Sequence, residues 1–198
     1  MQLFNLTNNP VKKVVLRLEP RVFFLWNTSQ HIEFSFEKPF AGAHIFALFT
    51  GNNADAFDLS IVQHHRQPDT QSFLTVLGIL NGQSRLSYSG LIRIEPEAVR
   101  TNAAQTNRNL LLSDQASASA SPTLEILADD VSARHASATG TTNAESVFAL
   151  ETRGIDRSAA EKLLAEGAVR NFFETMRAHT DDTEIDLLEQ AALKSLSL

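Results

Sequence analysis

Between about residue 11 and residue 150 the apolar side chains recur at every second position, in short runs. In HIEFSFE, Ile32, Phe34 and Phe36 share one side of an extended chain, and in AFDLSIV, Phe57, Leu59 and Ile61 do the same. AHIFALF, SFLTVLGIL, SRLSYSGLIRIE, RNLLLS and TLEILA repeat the pattern. A period of two predicts strands, many and closely spaced. Their connections are short and lack the 3.6-residue period of a crossover helix, which disfavours a doubly wound α/β fold. A sandwich, a barrel and a stacked β-solenoid all stay open on the pattern alone. No strict repeat is visible. Small polar stretches such as SDQASASASP suit the corners of a solenoid, and the Ser/Ala alternation from Ser117 to Ser121 reads equally as a flexible surface loop.

After residue 155 the period lengthens. Ser158 followed by Glu161 is a capping-box signature, opening a helix that runs to about Arg177. Projected at roughly 100° per residue, Ala160, Leu164, Ala168 and Phe172 form one stripe, while Leu163 and Phe173 fall on about the opposite side. A helix apolar on two sides needs two supports: the β body, and either the next helix or another protein. That next helix is predicted to begin near Asp181, with Glu184 three residues on and Ile185, Leu188 and Ala192 along one side. The chain thus divides into a mainly β body, residues 1–155, and a two-helix appendage, residues 156–198.

With 198 residues, 43% hydrophobic and 20% charged, the chain is long enough and ordinary enough in composition for one substantial core, and wholesale disorder is excluded. The net charge of −6, with no cluster of Lys or Arg, argues against nucleic acid as a ligand. No apolar run approaches the ~20 residues a membrane-crossing helix needs. The opening MQLFNLTNNPVKK lacks the charged-then-apolar order of a signal peptide, so a cytoplasmic location is expected. There is no cysteine. Disulfides and thiolate nucleophiles are therefore excluded, and any cluster chemistry would need thiolates from a partner.

Several polar groups are candidates for chemistry. His64 and His65 are adjacent, so on a strand they face opposite ways and cannot chelate one metal together. With His31 and His44 they would form a site only if the fold converged them; strand-edge or surface histidines are the default. Asp129 and Asp130, with Glu125, could serve as acids or calcium ligands, but adjacent aspartates after a strand favour a turn. Gln105, Asn107 and Asn109 read as a binding row or, more simply, as amides satisfying backbone groups at a corner. No P-loop, GxGxxG or GxSxG is present. In ADDVSARHASATG, His135 stands among Ala133, Ala136, Ser137 and Ala138, which are too small to cover a ring, so another chain or a cofactor could approach it closely.

Taken together, QTNRNLLLSDQASASASPTLEILADDVSARHASATG and FALETRGIDRSAAEKLLAEG resemble the C-terminal half of the SufB/SufD family, scaffold components of SUF iron–sulfur cluster assembly. The resemblance is carried by Gln105, Asn107 to Leu112, Pro122, Leu124 to Ile126, Ala128 to Val131, His135, Phe148, Arg153 to Ile155 and the helix from Ala160 to Leu164. It is looser over residues 60–104, where it includes Gly90, and does not extend to residues 1–60. It implies a right-handed parallel β-helix, pairing of two such subunits through their β-helices, and C-terminal helices that recruit an ABC-type ATPase, SufC-like. In the SufD branch the histidine corresponding to His135 lies near the interface with SufB, whose cysteine it complements. The absence of cysteine, and Ala136 where SufB has a glutamate, place this chain nearer SufD. Departures are Ala136, Ser137 and Ala138 where Gly-Ala-Thr is usual, and Ala168 where an aromatic is common.

The expectation is a non-enzymatic scaffold that holds no cofactor alone and shares a transient iron–sulfur cluster with a SufB-like chain or a second copy. His135 is its candidate metal ligand. Leu163, Phe172 and Phe173 are its candidate docking surface. A homodimeric interaction module without cluster work is the alternative. A β-solenoid carbohydrate enzyme using Asp129, Asp130 and Glu125 ranks lower, since one Trp and one Tyr make a poor sugar-stacking surface.

Overall fold

The computed structural model describes residues 1–17 and 19–196. Eleven strands run in chain order: β1 (Leu3–Asn5), β2 (Lys13–Leu16), β3 (Arg21–Trp26), β4 (Gln30–Phe36), β5 (Gly42–Gly51), β6 (Ala56–His65), β7 (Gln71–Leu80), β8 (Arg85–Ile94), β9 (Asn102–Leu111), β10 (Ser117–Ile126) and β11 (Ser132–Thr141). Odd strands form one parallel sheet, β1-β3-β5-β7-β9-β11, and even strands a second, β10-β8-β6-β4-β2. Each coil contributes one strand to each sheet. This is a β-solenoid with a helical appendage, as the resemblance implied.

The register explains why no repeat is legible. Partners one coil apart lie 19 to 22 positions apart in the first coils, as in Leu3 with Val22 and Arg21 with Ala43, and 29 to 32 apart in the later ones, as in Gly42 with Gln71 and Arg85 with Ser117. A loose period of this kind needs only a compatible side chain at each level, not the same one. The corners repeat in conformation instead: Phe40, Asp69 and Arg100 each adopt a positive φ one level above the other, and Asn27, Asn53 and Gly82 do so at the next corner. At the first of these, Arg100 donates from Nε and Nη2 to the two carboxylate oxygens of Asp69, 2.7 Å each.

The space between the sheets is the principal core. Phe23, Ile45 and Leu74 stack in one inward column, with Ile32, Phe34, Phe36, Leu59 and Ile61 opposite. Alternation in the sequence located these positions correctly. It also ran through residues 1–26 and 117–141 more weakly, where three short N-terminal strands, β10 and β11 prove to be strands. The Ser/Ala stretch is neither corner nor loop: Ala118 and Ala120 turn inward and Ser117, Ser119 and Ser121 outward along β10. Its period of two was present, with side chains too small to register as hydrophobic.

The outer face of the odd-strand sheet is covered by helices. α1 (Ala144–Glu151) lies inside the stretch read as strand-like; α2 (Arg157–Arg177) and α3 (Glu184–Ser195) follow. The cap of α2 is Asp156, whose Oδ1 accepts from the Ala159 N–H at 3.0 Å, rather than Ser158. α3 starts later than Asp181, with Asp182 Oδ1 accepting from the Glu184 N–H. Ala165, Val169, Phe172, Phe173 and Met176 pack against Val22, Phe24, Phe46, Leu48, Leu77 and Ile79, joined by Ile185 and Ala192 of α3. Phe24 meets Phe173 at 5.8 Å between ring centroids, and Phe46 meets Phe172 edge-on at 5.6 Å. His179, just past α2, stacks on His44 of β5 at 3.6 Å.

Phe172 and Phe173 are therefore 3% and 0% exposed, which corrects their reading as a docking surface. Of the three residues only Leu163, 48% exposed, faces solvent. The β body supplies the support for both rings, because α2 lies along the sheet and its apolar side is wider than a single stripe.

Candidate functional site at the open end of the coil

Moving along the coils, the inward columns change character. Residues in register in a parallel sheet project to the same side, so Phe23, Ile45, Leu74, Gln105 and His135 form one column, and Leu25, Ala47, Val76, Asn107 and Ser137 the next. A third runs from Phe49 through Gly78 and Asn109 to Thr139. Each is apolar at first and polar in its last two levels. The coil closes its core with hydrocarbon at one end and hydrogen bonds at the other.

The polar levels are internally paired, as buried amides must be. Tyr88 donates from its hydroxyl to Gln105 Oε1 at 2.9 Å, and Gln105 Nε2 donates to the Gly90 carbonyl at 3.3 Å. Burial pushes the Tyr88 phenol up, so it stays a donor. Asn109 Nδ2 donates to Asn107 Oδ1 at 2.8 Å and to Thr139 Oγ1 at 2.9 Å. The Ser137 hydroxyl donates to Asn107 Oδ1 at 3.3 Å. Two glycines make the room. A Cβ on Gly90 would collide with the Tyr88 hydroxyl and Gln105 Oε1, and one on Gly78 would meet Asn109 Oδ1 at 2.6 Å. The amide row Gln105, Asn107 and Asn109 thus lies mid-strand on β9, pointing inward, not at a corner.

His135 sits at the last level, in register with Gln105. Among the described residues both sheets end here: β11 has β9 on one side and no strand on the other, and β10 ends the second sheet. No further coil covers its ring, so His135 is exposed although it points along the inward column, and it makes no hydrogen bond among the described residues. Facing it across the coil, Ala118, Ala120, Pro122 and Leu124 continue the columns of Leu86, Tyr88, Gly90 and Ile92. The open end therefore pairs a polar strip carrying one free imidazole with an apolar strip of small side chains. Among the described residues no three His, Asp or Glu side chains are grouped to hold a metal. One imidazole alone can contribute only part of such a site.

The other histidines do not converge. His64 faces outward, with Nε2 2.7 Å from Glu95 Oε1 and Nδ1 3.3 Å from Glu33 Oε1, at the centre of an ion-pair row that includes Lys13, Arg66 and Arg93. The hydrogen bond with His64, aided by Arg93, holds the Glu95 carboxyl below the usual range. His65 turns inward, stacked on Phe36 at 4.3 Å, between Thr70 Oγ1 and Ser72 Oγ at 2.8 Å each. Its full burial departs from the surface reading and pushes its pKa down to about 3. His44 is half-buried under α2, and His31 is exposed. Asp129 and Asp130 occupy an exposed bend before β11, where the Asp130 carbonyl accepts from the Arg100 N–H. Glu125 lies 3.7 Å from Arg93. The turn reading of the two aspartates holds. Tyr88 and Gly78 were not singled out from sequence, although the alternation of amides in QTNRN is itself a period-two signal of an inward polar column.

The model of the SUF-system FeS cluster assembly SufBD core domain matches residues 26–168. An iron–sulfur cluster assembly SufBD family protein of Mycobacterium leprae is 34% identical over 140 residues, covering 67% of this chain and 36% of that protein. The cluster assembly protein SufD of Escherichia coli is 32% identical over 99 residues, 50% of this chain and 23% of the relative. SufD of Bacillus subtilis is 31% identical over 117 residues, 59% and 26% respectively. The chain thus matches only about a quarter to a third of each relative's length. Parallel pairing in the coil already includes Leu3, ahead of the matched core, through shorter coils in which Leu3 pairs with Val22 and Arg21 with Ala43.

Proposed function

This chain belongs to the SufBD family of SUF iron–sulfur cluster assembly proteins, and from that premise we propose that it is a SufD-like scaffold subunit rather than an enzyme. Its open end, β10 and β11, is the face on which a SufB-like chain or a second copy stacks. His135 then contributes a neutral imidazole to a nascent cluster, the cargo of the assembly, whose thiolates come from the partner. The observation that carries this reading is the position of His135, held by the register of an inward column yet left uncovered at the last level. A ring serving only the core would be closed over, as His65 is.

Recruitment of an ABC-type ATPase belongs to the solvent side of the appendage. Leu163 of α2 and Phe148 of α1, 48% and 64% exposed, are its apolar groups. No helix among the described residues is long and apolar enough to cross a membrane. The test is anaerobic cluster reconstitution with co-purified partners. His135→Ala is expected to lower the cluster yield while leaving the melting temperature unchanged, and Leu163→Asp to lower ATPase retention. Unchanged yield with His135→Ala would refute the ligand role.

A further inference from the structure

On the outer face of the odd-strand sheet the helices do not lie flat. One side of α2 packs on β3, β5 and part of β7, while the side carrying Leu164, Ala168, Asn171 and Thr175 borders a half-open cavity of about 410 Å³ over β7, β9 and β11. That volume falls within the range of small-molecule sites. Small residues keep it open: Ala138 and Gly140 on β11 beside the floor, and Ala168 in the helical roof. Leu77, Leu110, Leu164 and Phe172 give it apolar walls.

Its lining carries one charged group among hydroxyls and side-chain amides. Arg108 on β9 is exposed and makes no ion pair or hydrogen bond among the described residues, and no Asp or Glu lines the cavity. The hydroxyls of Thr75 and Thr106 and the side-chain amide of Asn171 are likewise without a hydrogen-bond partner there. Thr175 spends its proton on the Asn171 carbonyl at 2.9 Å, leaving its oxygen as an acceptor. An uncompensated guanidinium with neutral donors around it favours negative charge, and the guanidinium fork fits a carboxylate, sulfonate or phosphate oxygen pair.

We propose that this cavity, between α2 and the outer face of β7, β9 and β11, binds a small organic anion, with Arg108 gripping the charged group and Leu77, Leu110 and Phe172 covering an apolar body. It lies on the outer side of the coil, away from the inward column of His135, and does not depend on the assembly reading.

The test uses the full chain and two dyes that differ by one charge, anilinonaphthalene sulfonate and its neutral parent N-phenylnaphthylamine. The sulfonate is expected to bind at one equivalent. Arg108→Gln should weaken it by about ten-fold or more and leave the neutral dye within about two-fold. Ala168→Phe, filling the roof, should abolish both. Sulfonate affinity unchanged by Arg108→Gln would overturn the proposal, and that variant decides alone if Ala168→Phe fails to fold. Inorganic phosphate displacing the sulfonate as effectively as an aromatic carboxylate would also overturn it, because the apolar walls would then contribute nothing.

Discussion

His65 is a titratable group the fold can use only in its neutral form. Burial between Phe36, Thr70 and Ser72 lowers its pKa to about 3, and burial with the neighbouring His179 lowers that of His44 to about 4. An unfolded histidine takes its proton near pH 6.5. Between that value and about 3 the unfolded chain therefore binds more protons than the folded one, so stability is at its plateau above pH 6.5 and falls as the pH drops. Urea unfolding at pH 7.5, 5.5 and 4.5 is expected to show this decline, with a slope from His65 approaching about 1.4 kcal/mol per pH unit. His65→Gln should make the decline shallower and leave the share of His44. Gly90 is the second residue fixed by its surroundings. Gly90→Ala would push a methyl into the Tyr88–Gln105 hydrogen bond and is expected to cost about 1–3 kcal/mol by the same measurement. The sequence showed that His64 and His65 must face opposite ways; which faced the core depended on the register of β6 between β4 and β8.

Among the elements, α2 shows what periodicity can and cannot tell. Its two apolar sides were visible, but the partner of each was not. The sheet takes Phe172 and Phe173, and Leu163 is left outside. Phe173→Ala is accordingly expected to destabilise the fold by about 3–5 kcal/mol, whereas Leu163→Ser should stay within about 0.5 kcal/mol. Gly167 lies in the interior of α2 with open space where a Cβ would stand. Gly167→Ala should therefore stabilise by about 0.5–1 kcal/mol, read as a raised urea midpoint at unchanged slope. α1 escaped notice because Asn143 supplies its cap and only Val147 is buried, too little to set a period. The Ser/Ala half of β10 and all of β11 went unmarked for a related reason: Ala, Ser, Thr and Gly alternate without the contrast in hydrophobicity by which strands are read, whereas TLEILA marked the second half of β10.

At the scale of the whole molecule, a solenoid has two ends and must close both. Here the three inward columns of the odd-strand sheet are apolar through β7, become a hydrogen-bonded ladder at β9, and end at β11 with an exposed imidazole in one of them. If that end is the pairing seam, Leu124→Lys together with Ser137→Lys should abolish association in sedimentation velocity without altering the far-ultraviolet spectrum. An unchanged mass would exclude the open end as the contact. The sequence by itself determined that the body is made of strands, that two helices follow, and that no thiolate is available, since these rest on local period and composition. The segments carrying the family resemblance were likewise local. The tertiary structure alone decided which amides share a column, that two phenylalanines are internal, and that Arg108 faces a cavity while His135 faces open space. Those outcomes depend on neighbours one coil away, near 30 residues along the chain, and on how far a helix stands off a sheet; neither leaves a local trace.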